Sequence, residues 1–438
     1  MGTKVCKFGG TSLADAAQVR KVEAIVRADP DRRYVVPSAP GKRDANDRKI
    51  TDLLYLCHNA AAQGIAFDDV WTLICDRFEA LVTDLDLTVD LGPQLSQVRR
   101  DIEAGAPPDY AASRGEFLTG HVIAGLLGYE FVDAAEVIRF DRHGRFDDDA
   151  TQSAMQRLAD TNHAVVPGFY GSMPDGRIKT FSRGGSDITG SIVARGVGAD
   201  VYENWTDVCG LLMADPRIID RPRTIDVLSY GELRELTYMG ATVLHDEAIF
   251  PVQQAGIPVN IRNTNRPDHD GTMIVPETSP IAHSGTITGI AGRKDFTVIA
   301  LEKAMMNTQI GFARRVLSVL ESHGISFEHM PSGIDTLSVV VEDAQLNDRL
   351  DTVVAEIRHE CQPDRLIIYP DMALIASVGR GIVHTPGMAA RLFEALANAE
   401  VNIRMIDQGS SEINIIVGVE TVDFEKAVRA IYDAFDET

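Results

Sequence analysis

The sequence predicts an α/β domain with a mainly parallel sheet between helical layers, followed by two small ferredoxin-like units. Strand-like and helix-like segments alternate over roughly the first 275 residues, and such alternation gives a parallel sheet with helices on both faces. Polar, glycine-containing turns follow several of the strands. Beyond residues 276–284 the segments become shorter and follow the order βαββαβ.

Apolar and amphipathic runs mark the elements of the first part. Residues 15–28 place Val19, Val22 and Ile25 on one helical face, which is typical of an amphipathic helix. Residues 65–113 favour helix and lack a glycine fingerprint, so we interpret them as a helical insertion. The expected strands are 4–8, 34–38, 164–169, 201–205 and 259–263, and the other expected helices are 51–64 and 187–195.

The last third of the chain is predicted to form two copies of a smaller unit. The first has strands 296–302, 325–329, 336–342 and 365–369 with helices 311–323 and 347–360; the second has strands 372–378, 402–407 and 413–419 with helices 388–399 and 424–435. Only three residues follow, so the second unit lacks a closing strand, and an unpaired sheet edge is a liability. We expect a strand at 286–292 to fill this edge, which would interleave the two units.

The length of the chain predicts several domains, because 438 residues are too many for one ordinary hydrophobic core. We predict a main domain at 1–275, which includes the helical insertion. A linker that also donates the extra strand follows at 276–295. The two small units then occupy 296–370 and 371–438.

Composition is that of a globular protein, with 45% hydrophobic and 24% charged residues. No apolar run approaches the roughly 18–20 residues that span a bilayer, and the N-terminus lacks the apolar core of a signal peptide. The five cysteines are widely spaced and form no C-x-x-C pair, so neither a zinc site nor a disulfide framework is indicated. We therefore expect a reducing, cytoplasmic location.

The formal net charge of −22 argues against nucleic acid and anionic membranes as partners. Most of this charge is explained by a solvated acidic surface that aids solubility. If the protein binds anionic ligands, a few well-placed Lys and Arg residues must attract them despite the net negative charge of the protein.

The first candidate site is the segment Lys7-Phe8-Gly9-Gly10-Thr11-Ser12, which joins a strand to a helix. Glycines at such a junction let backbone N–H groups approach phosphate oxygens, and the helix N-terminus adds partial positive charge. Lys7 supplies a mobile cation. The spacing matches neither a Walker A loop nor a dinucleotide fingerprint, and an ordinary strand–turn–helix junction explains the segment equally well.

Two further polar turns follow later strands. The segment 182–187 combines Arg183 and Asp187 with two glycines ahead of a helix, and 205–210 reads WTDVCG and is followed by DPR at 215–217. Arg183 suits bidentate binding of a carboxylate. Asp187 could stabilise the helix N-terminus, orient Lys7, or hold a metal-bound phosphate. Open α/β sheets bind ligands at such strand ends, so three such turns favour a ligand site.

Taken together and in this order, the three turns resemble the aspartokinase family of the amino-acid kinase fold. The segment 239–245 (MGATVLH) is similar to a further segment of that family, and the paired tail units resemble ACT domains, which bind amino acids. The resemblance covers nearly the whole chain. Leu212, Asn265 and Cys209 depart from the family pattern, which often has tyrosine, lysine and proline there.

The resemblance implies a phosphotransferase that uses ATP and Mg²⁺ to phosphorylate the side-chain carboxylate of L-aspartate. Lys7 and Asp187 would be the catalytic residues. The ATP site would contain Lys7, Phe8, Gly9, Gly10, Thr206, Asp207, Arg217 and Asn265. The aspartate site would contain Ser38, Thr51, Glu116, Arg183 and Ser186, with Arg183 on the α-carboxylate and Glu116 facing the α-ammonium. No protein residues are expected to form a metal site of their own.

Two other functions remain open at this point. The first is another amino-acid kinase, such as a glutamate or acetylglutamate kinase, against which the tail and the set Ser38, Thr51 and Glu116 argue. The second is a catalytically silent amino-acid sensor, against which the presence of Lys7, Arg183, Asp187 and Asp207 argues.

The tail implies feedback control by an amino acid, with lysine as first choice and threonine as second. The expected effector residues are Met306, Gly311, Phe312, Phe327 and Ser332. By the same resemblance we expect a homo-oligomer that assembles through the ACT-like units.

Overall fold

The computed structural model describes residues 2–159, 161–182, 184–241, 246–279 and 285–436. The chain divides into two compact units. One comprises Met1–Leu211, Asp226–Tyr230 and Val243–Ala282, and the other comprises Leu212–Ile225, Gly231–Thr242 and His283–Thr438. Two stretches of the domain predicted at 1–275 therefore cluster with the tail.

The bounds of the elements are as follows. The strands are β1 (Lys4–Phe8), β2 (Arg32–Pro37), β3 (Glu130–Phe131), β4 (Ala164–Val165), β5 (Tyr170–Ser172), β6 (Ile178–Thr180), β7 (Val201–Thr206), β8 (Val227–Ser229), β9 (Val259–Asn263), β10 (Thr272–Val275), β11 (Gly289–Glu302), β12 (Thr336–Glu342), β13 (Arg365–Val378), β14 (Met405–Asp407) and β15 (Asn414–Glu420). The helices are α1 (Ala16–Arg27), α2 (Ile50–Ala62), α3 (Asp68–Asp84), α4 (Gly92–Glu103), α5 (Pro108–Leu127), α6 (Ala134–Val137), α7 (Asp148–Ala159), α8 (Gly185–Gly196), α9 (Tyr230–Tyr238), α10 (Asp246–Ala255), α11 (Phe312–Ser322), α12 (Asp343–Leu346), α13 (Leu350–Cys361), α14 (Met388–Asn398) and α15 (Phe424–Phe435).

The first unit is built on a sheet with the strand order β3-β4-β2-β1-β7-β9-β10-β8. Its neighbouring strands are parallel except for the antiparallel pair β9–β10. The mainly parallel sheet predicted from the alternation of elements is confirmed. Because β1, β2 and β7 are adjacent and parallel, their carboxyl ends lie at one edge of the sheet.

One face of this sheet packs on a large apolar cluster. Helix α1 buries Val19, Val22 and Ile25, the face predicted from their spacing. Side chains of α3, α4 and α5 join the same cluster as Phe8 and Val35 of the strands. Helix α5 runs through residue 113 without interruption, so the helices of 65–113 share the core of the sheet.

The sheet of the second unit has the order β12-β11-β13-β15-β14 and is antiparallel throughout. Strands β11 and β13 each run for 14 residues. The beginning of β11, from Gly289 to Arg293, pairs with Leu374–Val378 of β13. This is the pairing that an interleaved tail requires.

The strand predicted at 325–329 is wrong. The chain there makes only isolated bridges to β12, at His329 with Val340 and at Ser332 with Leu337. Pro331 lies between these bridges and has no N–H group with which to continue a ladder. The strand predicted at 402–407 is reduced to the three residues of β14.

Hydrogen bonds explain why parts of residues 212–242 belong to the second unit. The Ile290 amide donates to the Met213 carbonyl at 2.7 Å. The Thr288 hydroxyl donates to a Glu232 carboxylate oxygen at 2.6 Å, and the Asn414 amide donates to Glu235 at 2.7 Å. Such long-range contacts leave no signature in the local sequence.

No helix among the described residues is long and apolar enough to cross a membrane.

A buried ion cluster lies beneath the first sheet, around Glu203 of β7. Arg32 donates to both carboxylate oxygens at 2.8 and 3.2 Å, and the Trp205 indole donates at 2.9 Å. The Arg32 and Arg262 guanidinium groups lie over the Trp205 ring, 5.2 and 4.8 Å from its centre. Burial alone would raise the pKa of Glu203, but the bonds from Arg32 outweigh it and lower that pKa.

We predict that Glu203→Ala destabilises the protein by about 3–5 kcal/mol, because it leaves the buried Arg32 unpaired. Urea denaturation followed by far-UV circular dichroism measures the change. The matched control is Glu103→Ala, which removes an exposed ion pair with Arg99 and should change the midpoint little. Equal losses in the two variants would contradict this account of the cluster.

Candidate active site

Three polar turns meet at the carboxyl edge of the first sheet. They follow β1 at Gly9, β2 at Ser38 and β7 at Asp207. Helix α8 packs against β1, β2 and β7, so its N-terminus brings the residues around Asp187 to the same sheet. Two of the turns that the sequence singled out, those after β1 and β7, are therefore neighbours in space, and Asp187 lies beside them; the turn after β2 was not among those singled out.

The turns after β1 and β2 touch through their backbones. The Gly41 amide donates to the Gly10 carbonyl at 2.8 Å. A Cβ atom on Gly10 would lie 2.9 Å from the Ala39 carbonyl oxygen, and one on Gly41 would lie 2.7 Å from the Gly10 carbonyl group. Any larger residue at either position would push the two turns apart.

Lys7 is a buried cation under the glycine loop, with 7% of its surface exposed. Its Nζ atom lies 2.6 Å from Asp187 Oδ1 and 3.4 Å from Asn204 Oδ1. A Cβ atom on Gly9 would lie 3.5 Å from the same Nζ atom. The ammonium group is thus held directly against the loop, where it could meet an anionic ligand.

Hydrogen bonds that involve β7 hold the glycine loop after β1 in place. The Gly9 amide donates to the Trp205 carbonyl at 3.0 Å. The Ser12 and Thr264 hydroxyl groups share a hydrogen bond of 2.8 Å, and the Thr264 amide donates to the Thr206 carbonyl. These bonds hold the expected phosphate loop beside the turn of Thr206 and Asp207.

The other expected ATP residues are more dispersed. Asp207 is exposed, and its carbonyl accepts a hydrogen bond from the Asn263 amide at 3.0 Å. Asn265 is also exposed and accepts from Lys21 at 2.7 Å. Arg217 belongs to the second unit, where its exposed side chain pairs with Asp215 at 2.6 Å. The side chain of Phe8 is buried in the core, so only its backbone faces the loop.

The start of α8 is tightly packed. Ser186 is buried, and a Cβ atom on Gly168 would lie 2.7 Å from its side chain. Phe169 adopts a left-handed backbone with φ of +83°, and its amide donates to the Thr189 hydroxyl at 2.9 Å. Such a conformation is costly for a residue with a side chain and often marks a ligand site. Arg183 lies outside the described residues.

Glu116 of α5 is the second buried ionisable residue among the expected site residues. It is 6% exposed, it accepts a hydrogen bond from the Ala39 amide, and its Oε2 atom has no hydrogen-bond partner among the described residues. Helix α5 approaches closely at Gly115, where a Cβ atom would lie 2.8 Å from that of Ala39. Glu116 is therefore held at the turn that contains Ser38.

Burial raises the pKa of Glu116 to about 8, although the Ala39 amide and the nearby Arg114 act in the opposite direction. Arg114 itself is buried among the rings of Tyr110, Phe117 and Tyr170. A carboxyl group in such a setting gains most from a cationic ligand that supplies the missing partner.

The expected acceptor residues lie around this turn. The Ser38 amide donates to the Phe8 carbonyl at 3.0 Å, which ties it to the end of β1. Thr51 is half-buried at the start of α2, a helix that packs on α5. Ser186 lies on α8, next to Asp187.

A cavity of about 410 Å³ opens beside Phe169. Its walls include Ser182, Phe140, Phe181 and Tyr55. The Lys179 ammonium and the Asp109 carboxylate form an ion pair of 2.8 Å within its lining. The cavity is large enough for a small polar molecule.

Comparison with known proteins identifies the family of this fold. A family model described as the amino acid kinase family matches residues 2–263, and a model described as an ACT domain matches residues 375–435. Aspartokinase 3 of Bacillus subtilis is 38% identical over 99% of this chain and 98% of its own length. The chain belongs to the amino acid kinase family, and within it to the aspartokinases.

Solved structures agree with the assignment of the chain to the aspartokinases. The aspartate kinase of Clostridium acetobutylicum has a TM-score of 0.92 and 57% identity, with coverage of 99% of this chain and 100% of that one. Two structures of Escherichia coli aspartokinase III have TM-scores of 0.70 and 0.71 at 26% identity, with 99% of this chain covered in both and 99% and 100% of those chains. One is a complex with aspartate and ADP, and the other is a complex with lysine and aspartate.

The expected effector residues of the kinase lie in the second unit. Gly311 caps α11 with φ of +80°, while Met306 belongs to a 3₁₀ turn before it. Phe327 and Ser332 are exposed, but the Phe312 ring is part of the hydrophobic core. Phe312 could therefore reach a ligand only through its backbone.

Sequence reasoning missed two residues of the kinase site. Asn204 bonds to the Lys7–Asp187 pair, but in the sequence it is one of several polar residues of β7, next to Glu203, and nothing marks it out. Phe169 was placed in a predicted strand at 164–169, whereas β4 ends at Val165. Its left-handed backbone has no signal in the sequence, because glycine normally occupies such positions.

We predict that Glu116→Gln becomes more stable relative to the wild-type kinase as pH rises from about 7 to about 9. The folded carboxyl group keeps its proton until about pH 8, far above its usual pKa, so its contribution to stability is lost as pH rises through that value. Differential scanning fluorimetry across this range measures both midpoints. Glu79→Gln, at an exposed position of α3, is the control, and identical pH profiles for the two variants would contradict the prediction.

Proposed function

We propose that the protein transfers the γ-phosphoryl group of ATP to the side-chain carboxylate of L-aspartate and forms 4-phospho-L-aspartate. This is the first step of lysine, threonine and methionine biosynthesis. The observation that carries the proposal is Glu116, a buried carboxyl group with an open oxygen atom at the sheet edge that also holds Lys7. The names of the similar proteins and the aspartate and ADP of the E. coli structure support it.

The acceptor is held by opposite charges. The α-ammonium group of aspartate would complete the bonding of Glu116, and Arg183 would bind the α-carboxylate. Ser38, Thr51 and Ser186 would add hydroxyl contacts. A substrate with one positive and one negative group on the same carbon fits the Arg183 cation and a Glu116 carboxyl group whose ionised form the ammonium group favours.

The chemistry requires no general base. The side-chain carboxylate of aspartate is already ionised near pH 7, so the site must mainly position it and neutralise charge on the phosphoryl group. Lys7 would contact the phosphates from below the loop of Gly9 and Gly10. Asp187 would orient the Lys7 ammonium through their 2.6 Å ion pair.

Mg²⁺ fits this site as a companion of ATP. No group of three or more His, Cys, Asp or Glu side chains within the described residues could hold a metal ion, and Mg²⁺ commonly binds through phosphates with one or two carboxylates. Asp207, exposed at the turn after β7, is the carboxylate that would hold it. When bound, it would neutralise phosphate charge.

Control by an amino acid follows from the tail. Lysine is the first candidate effector, because a similar structure contains it, and threonine is the second. Met306, Gly311, Phe312, Phe327 and Ser332 remain the proposed effector residues. Control of this kind requires the effector to bind active and inactive states with different affinity. Assembly into a homo-oligomer through the ACT-like units and a cytoplasmic location also remain predictions.

The decisive experiment traps the product with hydroxylamine. Incubation with ATP, Mg²⁺ and L-aspartate should yield aspartyl hydroxamate, and added lysine should reduce the yield more than threonine does. Turnover with glutamate or N-acetylglutamate but not with aspartate would overturn the substrate. ATP binding without any hydroxamate would favour a silent amino-acid sensor.

We predict that Lys7→Met lowers kcat by about 10²–10³-fold, because it removes a fixed cation from the transferring phosphoryl group. Steady-state kinetics with varied ATP measures kcat and KM. Lys4→Met is the matched control, since Lys4 lies on the same strand and pairs with Asp29 at 2.7 Å. A near-normal kcat with unchanged KM for ATP in Lys7→Met would contradict the assignment.

A further inference from the structure

Asn204 is a third member of the Lys7–Asp187 pair. It is 3% exposed and lies on β7, opposite Lys7 of β1 in the sheet register and opposite Ile261 of β9. Side chains alternate between the two faces of a strand. Asn204 therefore faces α8, while Glu203 and Trp205 face the other side of the sheet.

The three side chains form a closed ring. The Asn204 Nδ2 group donates to Asp187 Oδ1 at 2.8 Å, and Lys7 Nζ donates to Asn204 Oδ1 at 3.4 Å. Lys7 Nζ also lies 2.6 Å from the same Asp187 oxygen. Only one orientation of the amide works, because a reversed amide would point N–H groups at the ammonium and its oxygen at the carboxylate.

We propose that Asn204 is a positioning residue for phosphoryl transfer, which holds the Lys7 ammonium and the Asp187 carboxylate in register under the glycine loop. The proposal rests on the proposed function in so far as Lys7 meets phosphate. A lysine side chain is long and flexible. With two acceptors fixed by the sheet and by α8, Lys7 needs no reordering when ATP arrives, and one of its three N–H groups stays available.

A neutral amide suits this place better than a carboxylate. Among the described residues, the charged groups that face Asn204 are Lys7 from β1 and Asp187 from α8, while its β9 neighbour is Ile261. On its own strand, Tyr202 donates from its hydroxyl to the Asp187 carbonyl, and burial keeps the pKa of Tyr202 well above its usual value. A second carboxylate would compete with Asp187 for the single ammonium.

The difference between an amide and a carboxyl group at this position gives a test that separates a positioning role from a merely structural role. A protonated aspartic acid in place of Asn204 still offers one donor and one acceptor, so the ring can close. The ionised form offers no donor and adds a negative charge beside Asp187. Two carboxyl groups that share one site raise the pKa of one of them.

The experiment measures kcat of Asn204→Asp and of the wild type from about pH 6 to about pH 9, with the acceptor that the wild type phosphorylates. We expect the ratio of variant to wild type to fall by about tenfold or more as pH rises, because misplacement of catalytic groups costs at least this much. Asn204→Leu, which cannot close the ring at any pH, should be about tenfold to a hundredfold slower throughout, with little change in KM for the acceptor.

Asn260 supplies the matched control. It is a buried asparagine on the adjacent strand β9, in register with Glu203, and its Oδ1 atom has no hydrogen-bond partner within the part of the chain that the structure describes. The ratio for Asn260→Asp should not follow the pH profile of Asn204→Asp. Thermal midpoints identify any variant that fails to fold, and Asn204→Leu then decides the question alone.

The outcome does not depend on the identity of the acceptor. If the wild type phosphorylates glutamate, the proposed substrate fails, while the pH profile still tests Asn204. If no acceptor is phosphorylated, the affinity for ADP, measured by calorimetry at each pH, takes the place of kcat. A flat ratio for Asn204→Asp, or a wild-type kcat for Asn204→Leu, would overturn the role of Asn204.

Discussion

The site depends on holding the ammonium group of one lysine inside the protein. Lys7 is buried, and a buried charge is tolerated only when it is paired and hydrogen-bonded. Two different parts of the fold meet this need. The sheet register places Asn204 opposite Lys7, and α8 brings Asp187 to within 2.6 Å. The arrangement of Lys7, Asn204 and Asp187 is thus inseparable from the parallel order of β2, β1 and β7.

Strand β7 supports both faces of this arrangement. Towards α8 it presents Asn204. Towards the apolar cluster it presents Glu203, which accepts hydrogen bonds from Arg32 and from the Trp205 indole. The Trp205 carbonyl then accepts the Gly9 amide. One strand therefore connects a buried ion network, the glycine loop and the lysine beneath it, so a substitution on one face would also disturb the residues on the other.

Much of the fold and the site followed from the sequence because the signals were local. Glycine turns after strands identified Gly9, Gly10 and Asp187, and parallel strands necessarily bring such turns to one edge. The role of Asn204 depends on which strands are neighbours, and the raised pKa of Glu116 depends on burial. Neither property is visible in a single sequence.

The errors have the same origin. The strand predicted at 325–329 has an apolar start, but Pro331 limits its pairing with β12. The membership of 212–225 and 231–242 in the second unit depends on contacts with residues far along the chain, such as Thr288 and Asn414. Arg183 and residues 242–245 lie outside the described residues, so their predicted roles stay predictions.

The discontinuous second unit limits how this protein can be recombined with its relatives. A chimera joined within residues 276–288 would exchange β11 onwards but keep Met213, Glu232 and Glu235 from the other parent. The hydrogen bonds that these residues make to Ile290, Thr288 and Asn414 would then join side chains and backbones of different ancestry. The tail is exchangeable as a set of three sequence segments, not as one cassette.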